Sequence, residues 1–303
     1  MLAGLVVAAI LLWSGVIGSA GLILRHDLRQ GQRHRAPTPA FLMAGPALLV
    51  LGGGAFSLLA LGVWSVAHRW RFPQALPDGW TLSAWTGNRA VWGGILGETA
   101  LVAGVASGLS LLLAILWLEG ETRGHFARAR WAEALIYLPL LVPQVAFLFG
   151  LHIVFLHLGV GGDRVAVVWV HAIFVFPYVM LSLSDPWRAL DPRLMRTAAA
   201  LGASPLRQLL AVRLPCLARP VLIALSIGFA VSVAQYLPTL FMGAGRVNTL
   251  TTEAVSLASG GDRRIAGVLA VLQSVLPLTA YGLALTVPAL ILRGRRGQAG
   301  GVA

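Results

Sequence analysis

Long apolar runs separated by short connections that contain arginine make up most of this sequence. A helix needs about 20 apolar residues to cross the roughly 30 Å hydrocarbon core of a bilayer, and runs of that length recur along the chain. We predict an all-α integral membrane protein, a polytopic bundle of about seven transmembrane helices. These spans fall near 2–24, 41–67, 91–118, 134–158, 165–184, 220–241 and 266–292.

The composition supports this interpretation and restricts the partners. Hydrophobic residues make up 57% of the chain and charged residues 11%, whereas soluble proteins have about 45–50% and about 25%. All 23 basic residues are arginine and the net charge is +12. Because these arginines are spread over the connections and form no basic stripe, we expect membrane lipid and not nucleic acid as a partner.

The arginines also predict the orientation of the chain in the membrane. If the amino terminus is outside, 16 arginines fall on one side, in 25–40, 119–133, 185–219 and 293–303, and 7 fall on the other. Loops rich in Lys and Arg remain in the cytoplasm. The first group of connections is therefore predicted to be cytoplasmic.

The longest of these cytoplasmic connections, residues 185–219, has the sequence of a helical hairpin. Asp191 can cap a helix that begins at Pro192, and Gly202 suits its end. Ser204 and Pro205 then repeat the start signals, and Pro215 is predicted to end a second helix at about Arg213. Two short helices joined by a glycine turn are therefore expected on the cytoplasmic surface.

The first hairpin helix has little side-chain bulk, because Ala198, Ala199 and Ala200 follow one another. Nearby arginines carry positive charge: Arg193, Arg196 and Arg207. A groove on another protein could approach such a helix closely, which favours a docking element. The alternative is an interfacial hairpin that only connects two spans, and composition alone does not separate the two.

A resemblance to a known family favours docking. The stretch from Thr197 through Ala203, Ser204 and Pro205, with Leu214-Pro215 at the expected spacing from Gly202, resembles the EAA loop of binding-protein-dependent ABC importer permeases. In that family the loop is a coupling helix that seats in a cleft of the ATPase subunit. Segments such as 138–144, 176–179 and 235–243 extend the resemblance over residues 90 to 290, and 249–264 looks closest to the thiamine and iron(III) branch.

The resemblance implies a type I permease core in a bacterial inner membrane, passing a small solute, thiamine-like or of iron(III) type, to the cytoplasm. The implied partners are ABC ATPase subunits, a second permease half that is a copy or a paralogue, and a solute-binding protein. ATP would be used by the partner ATPase, and no cofactor is expected on this chain. The runner-up is an ion-gradient-driven transporter or channel, which the lack of Asp and Glu in mid-span disfavours.

The sequence departs from the family pattern in two places. The glutamate and first alanine of the motif fall on Arg196 and Thr197, so a basic contact would replace an acidic one. The second departure is an extra first span, so residues 1–40 form an additional helix and connection and residues 41–303 form the permease domain. Residues 2–24 resemble the last helix of a preceding half, which suggests a shortened or split form of a fused two-half permease. The alternative is a misassigned translation start.

Polar residues inside the predicted spans are candidates for a translocation path, because such groups usually face protein or water. The candidates are Gln144, Gln235, Tyr236, Thr239 and Gln273, with His152 as a further possibility. Nearby prolines, at 139, 143, 177, 238 and 277, are expected to break or kink helices and free carbonyl groups. The alternative for each polar residue is a hydrogen bond to a neighbouring helix.

Catalysis is not expected from these residues. A P-loop requires lysine, and the sequence contains none, so ATP hydrolysis is assigned to a separate subunit. Cys216 is the only cysteine. The histidines at 152, 157 and 171 fall on two predicted helices with no carboxylate among them, so they are expected to pack rather than bind metal. We therefore expect a membrane subunit that is not itself an enzyme.

Overall fold

A computed structural model describes residues 40–299, without 69, 71–73, 75–76, 88, 125–129, 160 and 261–262. Within these residues the chain is helical and contains no strand, only an isolated bridge between Ala67 and Trp80. The predicted span 2–24 lies outside the described residues. The helices are α1 Ala40–Val66, α2 Ser83–Gly87, α3 Arg89–Thr122, α4 Arg130–Leu141, α5 Gln144–His157, α6 Arg164–Ala189, α7 Pro192–Ala200, α8 Pro205–Gln208, α9 Leu214–Cys216, α10 Ala218–Val233, α11 Leu237–Gly243, α12 Leu250–Gly260 and α13 Arg263–Ala299.

The chain divides into two compact units, residues 1–57 and 58–303. Helix α1 runs across this division. In the first unit, residues 52–57 are exposed. Every functional feature described below lies in the second unit.

Three of the described helices are long and apolar enough to cross a membrane: α3, α6 and the part of α13 from Arg263 to Pro288. Two bent helix pairs raise the number to five if each pair is one span. This confirms the predicted all-α membrane architecture, while the total of seven spans stays a prediction. The span predicted at 266–292 is part of the longer helix α13, and Pro177 and Pro277 lie inside continuous helices.

The spans predicted at 134–158 and 220–241 are each interrupted, as the prolines in them indicate. Helices α4 and α5 meet at 105°, because Pro143 adopts an extended conformation (φ −53°, ψ 122°) between them. Helix α10 ends at Val233, and Pro238 occupies the first turn of the separate helix α11. Proline lacks an amide hydrogen and its ring clashes with the preceding turn, so a helix restarts at proline more readily than it continues through it.

Helices α3, α6 and α10 form the centre of the second unit, and small residues allow them to approach closely. A Cβ at Gly228 of α10 would lie 2.8 Å from Val179 Cγ2 and 3.0 Å from Val175 Cγ1 of α6. Between α3 and α6, Ser110 Oγ donates a hydrogen bond to Ala172 O at 3.1 Å. Small residues and interhelical hydrogen bonds of this kind are typical of packing between membrane helices.

Ion pairs mark the two ends of this helix bundle. At one end, Arg164 donates to both carboxylate oxygens of Glu98, at 2.6 and 2.7 Å. At the other end, Arg188 pairs with Glu121 at 2.9 Å and with Glu133 at 3.2 Å. The connections that hold residues 119–124 and 190–217 therefore meet at one end, as the predicted alternation of the spans requires.

Candidate functional site

The hairpin of residues 191–216 lies at the end of the bundle that the arginine distribution assigns to the cytoplasm. Asp191 caps α7, its side chain accepting a hydrogen bond from Arg193 N at 2.8 Å, and Pro192 occupies the first turn. Ser204 caps α8, accepting from Arg207 N at 3.4 Å. The predicted start signals for both helices are confirmed by these contacts.

Gly202 makes the turn between the two helices. Its φ is +80°, a conformation that L residues other than glycine rarely adopt. Its amide donates to Ala199 O at 2.9 Å and the amide of Ala203 donates to Ala198 O at 3.0 Å, which is the Schellman pattern of a helix end. Gln208 Nε2 also donates to Ala203 O at 2.7 Å and holds the second helix against the turn.

Helix α7 contains no buried residue. Arg193, Arg196, Thr197, Ala199 and Ala200 are exposed, whereas Ala198 is half-buried. Three leucines around the turn are also exposed, at 43%, 84% and 64% of their surface: Leu194, Leu201 and Leu206. This part of the hairpin therefore presents leucine, alanine and arginine side chains to its surroundings.

The second part of the hairpin does not end where the sequence predicts. Helix α8 is followed by a π-helical turn, Leu209–Arg213, and then by α9, which runs to Cys216. Pro215 does not stop the helix at Arg213, because it lies in the first turn of α9. At that position an amide hydrogen would have no partner within the helix, so its absence in proline costs no hydrogen bond. Residues 185–189 likewise belong to α6, so the connection begins at about Leu190 and not at Asp185.

Contacts with α3 hold the hairpin at its base. Arg213 forms a buried ion pair with Glu119, and Arg123 Nη2 donates to Pro205 O at 2.8 Å. Neither Glu119 nor Arg123 is among the residues predicted from the sequence. The available signal is their spacing of four residues at the end of a span, which places them on one helix face.

A cavity of about 650 Å³ opens where α4, α5, α6, α10 and α11 meet. It brings together three of the predicted path residues, Gln144, Gln235 and Tyr236. The remaining lining residues are Pro139, Leu140, Val142, Phe174, Tyr178, Val231, Ala234 and Leu237. The breaks at Pro143 and after Val233 form this space, because each turns a helix end towards it.

The other predicted path residues lie elsewhere. Thr239 is buried behind the cavity, with 1% of its surface exposed. Gln273 is half-buried on α13, and His152 is half-buried on α5. None of these three is among the residues that line the cavity.

Gln235 has an unsatisfied polar atom at the cavity. The residue is 7% exposed, and Oε1 has no hydrogen-bond partner among the described residues. Its Nε2 donates weakly to His171 O at 3.4 Å. A buried acceptor without a partner costs free energy, and a solute with an N–H or O–H donor would remove that cost.

A hydrogen-bond network behind the cavity fixes the position of Gln235. His171 Nε2 and Nδ1 lie 2.9 Å from Thr239 Oγ1 and 2.8 Å from Ser232 Oγ. Thr239 Oγ1 donates to Gln235 O at 2.9 Å. Since that hydroxyl has a single hydrogen, Nε2 is the donor to Thr239 and Nδ1 accepts from Ser232. His171 therefore links α6, α10 and α11.

The described residues contain no group of three or more His, Cys, Asp or Glu that could hold a metal ion. Cys216 is exposed at the end of the hairpin. The polar groups of the cavity are amides and phenols, which bind by hydrogen bonding. An all-helical membrane bundle with a hydrogen-bonding cavity between broken helices and an exposed hairpin at one end is typical of a transport permease.

Residues 106–293, more than half of the chain, match the family of binding-protein-dependent transport system inner membrane components. The chain belongs to this family. It is also 42% identical over 179 residues to the inner membrane ABC transporter permease protein YnjC of Escherichia coli (strain K12). The aligned region is 59% of this chain and 34% of that protein, so the chain spans about a third of the length of this relative.

These comparisons confirm the resemblance to ABC permeases and the inner-membrane location predicted from it. The matched region includes the hairpin of 191–216 and the cavity residues of α4, α5, α6, α10 and α11. The narrower resemblance to the thiamine and iron(III) branch stays a prediction, as do the roles of the individual residues.

Proposed function

We propose that this chain is one half of the membrane channel of an ATP-driven importer, and that the hairpin of residues 191–216 docks into a cleft of a separate ATPase subunit. The complex would contain two such ATPases, a second permease half that is a copy or a paralogue, and an external solute-binding protein. Membership of the binding-protein-dependent family supports this assembly. The exposed hairpin is the observation that carries it.

A hairpin packed back onto its own bundle would bury its apolar side chains within the chain. Here Leu201, at the turn, is 84% exposed, and α7 has no buried residue. Exposed leucines beside small residues and arginines form the composition expected of a surface that a protein groove covers. The capped helix ends also fix the shape of the hairpin before a partner binds, which lowers the entropy cost of docking.

The charge of the hairpin indicates what its partner presents. Arg193, Arg196 and Arg207 are exposed around the turn, and Arg196 stands where the resembled family has glutamate. Opposite charges across an interface favour association and like charges oppose it. We expect acidic residues on the rim of the ATPase cleft opposite Arg196.

The cavity supports an organic solute over a bare ferric ion. Its lining residues include no carboxylate and no charged side chain, whereas hard cations prefer carboxylate oxygen ligands. Phe174, Tyr178 and Tyr236 offer aromatic faces, and the amide of Gln235 offers an acceptor. Of the two solute types that the resemblance implies, the thiamine-like type fits better. Thermal stabilisation of the purified complex by thiamine but not by ferric citrate would agree with this choice.

ATP binding and hydrolysis by the partner would drive transport through the hairpin. Closure of the two ATPases would move both hairpins together and favour an outward-open cavity, and release of ADP and phosphate would favour the inward-open state. A ligand shifts such an equilibrium only by its difference in affinity for the two states. The binding protein would accordingly favour the outward-open state.

Site-specific crosslinking tests the docking proposal. In a Cys216→Ser background, a photoreactive thiol reagent is attached at Ala199→Cys or at Ser204→Cys, both exposed positions of the hairpin. We expect crosslinks to an ATPase subunit in the assembled complex. The control is Asn248→Cys, which is exposed near the Arg164–Glu98 end of the bundle. Crosslinks from the hairpin to lipid alone, or equal ATPase crosslinking from the control, would refute the assignment.

An uptake experiment separates this mechanism from the runner-up, an ion-gradient-driven transporter. Uptake of the transported solute into cells should stop when the associated ATPase is removed. It should continue when the ion gradients are collapsed and the ATP concentration is held constant. The reverse result would favour the ion-driven mechanism.

A further inference from the structure

The carboxylate of Glu119 on helix α3 is connected to both ends of the hairpin segment 205–213. Glu119 Oε1 accepts from Arg123 Nε at 2.6 Å, and Arg123 Nη2 donates to Pro205 O at the start of α8, at 2.8 Å. Glu119 Oε2 accepts from Arg213 at the end of the π-helical turn. The side chain of Glu119 therefore connects α3 to the hairpin at Pro205, through Arg123, and directly at Arg213, eight residues further along the chain.

This cluster is buried and includes an aromatic side chain. Glu119 and Arg213 are 8% and 6% exposed, and Trp187 of α6 is 2% exposed. The Arg213 guanidinium lies over the Trp187 ring, 5.4 Å from its centroid. A charge buried at this depth is stable only while it is paired, so Arg213 is held to Glu119 more strictly than a surface arginine would be.

The π-helical turn Leu209–Arg213 sets the position of Arg213 relative to Glu119. A π-turn contains one residue more than the α-helical turn that it replaces. Conversion of Leu209–Arg213 to α-helix would move Arg213 by one residue in register, roughly 100° around the helix axis. That rotation would carry its guanidinium away from Glu119, so the ion pair and the π-turn stabilise each other.

We propose that Glu119 is a positioning residue that transmits movement of the docked hairpin to α3, and through α3 to the cavity. This inference rests on the proposed function. While Glu119 holds both Arg123 and Arg213, displacement of the hairpin must displace α3, whose Ala114 and Leu118 share a core cluster with Val175 and Val179 of α6. Without Glu119 the hairpin still docks and keeps its chain connections to α6 and α10, but it loses the ion pair that joins Arg213 to α3.

The test measures coupling and docking separately. The complex of the full chain with its ATPase is reconstituted in liposomes, with Cys216→Ser and with Ala234→Cys at the cavity. The rate of labelling of the introduced thiol by a maleimide-polyethylene glycol is compared without nucleotide and with ATP and vanadate. We expect nucleotide to change this rate in the parent complex.

Glu119→Gln keeps the shape of the side chain and removes its charge. We expect this variant to retain ATPase binding and hydrolysis but to lose the nucleotide-dependent change in labelling, which in the parent should lie in the range of about 5- to 150-fold that is usual for coupling between two sites. The matched control is Glu121→Gln, because Glu121 is also on α3 and its ion-pair partner, Arg188, belongs to α6. We expect the control to respond as the parent does.

A second variant decides the outcome if Glu119→Gln fails to assemble. Glu119→Gln combined with Arg213→Gln removes both buried charges and leaves neither partner of that pair uncompensated. An assembled double variant that hydrolyses ATP without a change in labelling supports the proposal. A parent-like response in either variant, an equal loss in Glu121→Gln, or failure of the double variant to bind ATPase overturns it. If the parent chain itself retains no ATPase, the docking proposal fails, which is a separate result.

Discussion

Gly202 offers a direct test of the hairpin geometry. Its φ of +80° costs an L residue about 1–2 kcal/mol, and a Cβ there would meet no atom within 4 Å. The penalty for Gly202→Ala is therefore conformational and not steric. If the undocked hairpin relaxes to relieve it, the docking-competent fraction falls about 5- to 30-fold, and affinity for the ATPase falls by the same factor.

Gly202→Pro should abolish the association. Proline fixes φ near −65° and has no amide hydrogen, so it can neither form this turn nor donate to Ala199 O. Binding is measured by titrating purified ATPase onto the permease in nanodiscs, and membrane insertion is checked by fractionation. The matched control for Gly202→Ala is Gly245→Ala, where φ is +75° and a Cβ also meets nothing within 4 Å. Normal binding by the proline variant, or equal loss in the control, would refute the reasoning.

Two further predictions concern packing and the network behind the cavity. Gly267→Ala would place a Cβ 2.8 Å from Leu61 O, so we expect a loss of about 1–3 kcal/mol in stability. This loss is measured by thermal unfolding in detergent. The control Gly282→Ala has open space around the new Cβ and should be close to neutral. Thr239→Val leaves His171 Nε2 without its partner, so we expect a loss of about 1–3 kcal/mol in the same assay; an unchanged melting temperature would contradict the assigned hydrogen bonds.

The local geometry of the hairpin could be predicted because it is encoded locally. Asp191 and Ser204 cap the helices that follow them, and Gly202 adopts the conformation that the turn needs. The end of the second part of the hairpin could not be predicted from such local signals. Pro215 can end a helix or begin one, and the π-helical turn before it ends at Arg213, whose partner Glu119 is 94 positions away.

The cavity shows a similar division between local and tertiary information. Pro143 and Pro238 indicated breaks, and the breaks occur beside them. Their angle was not predictable, because it depends on how α4 and α5 pack against α6. Gln144 and Gln235 both line the cavity, while Gln273 is not among its lining residues, and this distinction depends on the tertiary arrangement. His171 was expected to pack, and its two hydrogen bonds explain why a histidine can be buried there.

The single exposed thiol of Cys216 lies at the end of the hairpin, directly before α10. A nitroxide or fluorophore attached there needs no engineered cysteine, and it reports from the junction between the hairpin and the bundle. In an assembly with two copies of the chain, one labelling reaction would give a pair of spectroscopic markers. The distance between them could be followed through the ATP cycle in the unmodified sequence.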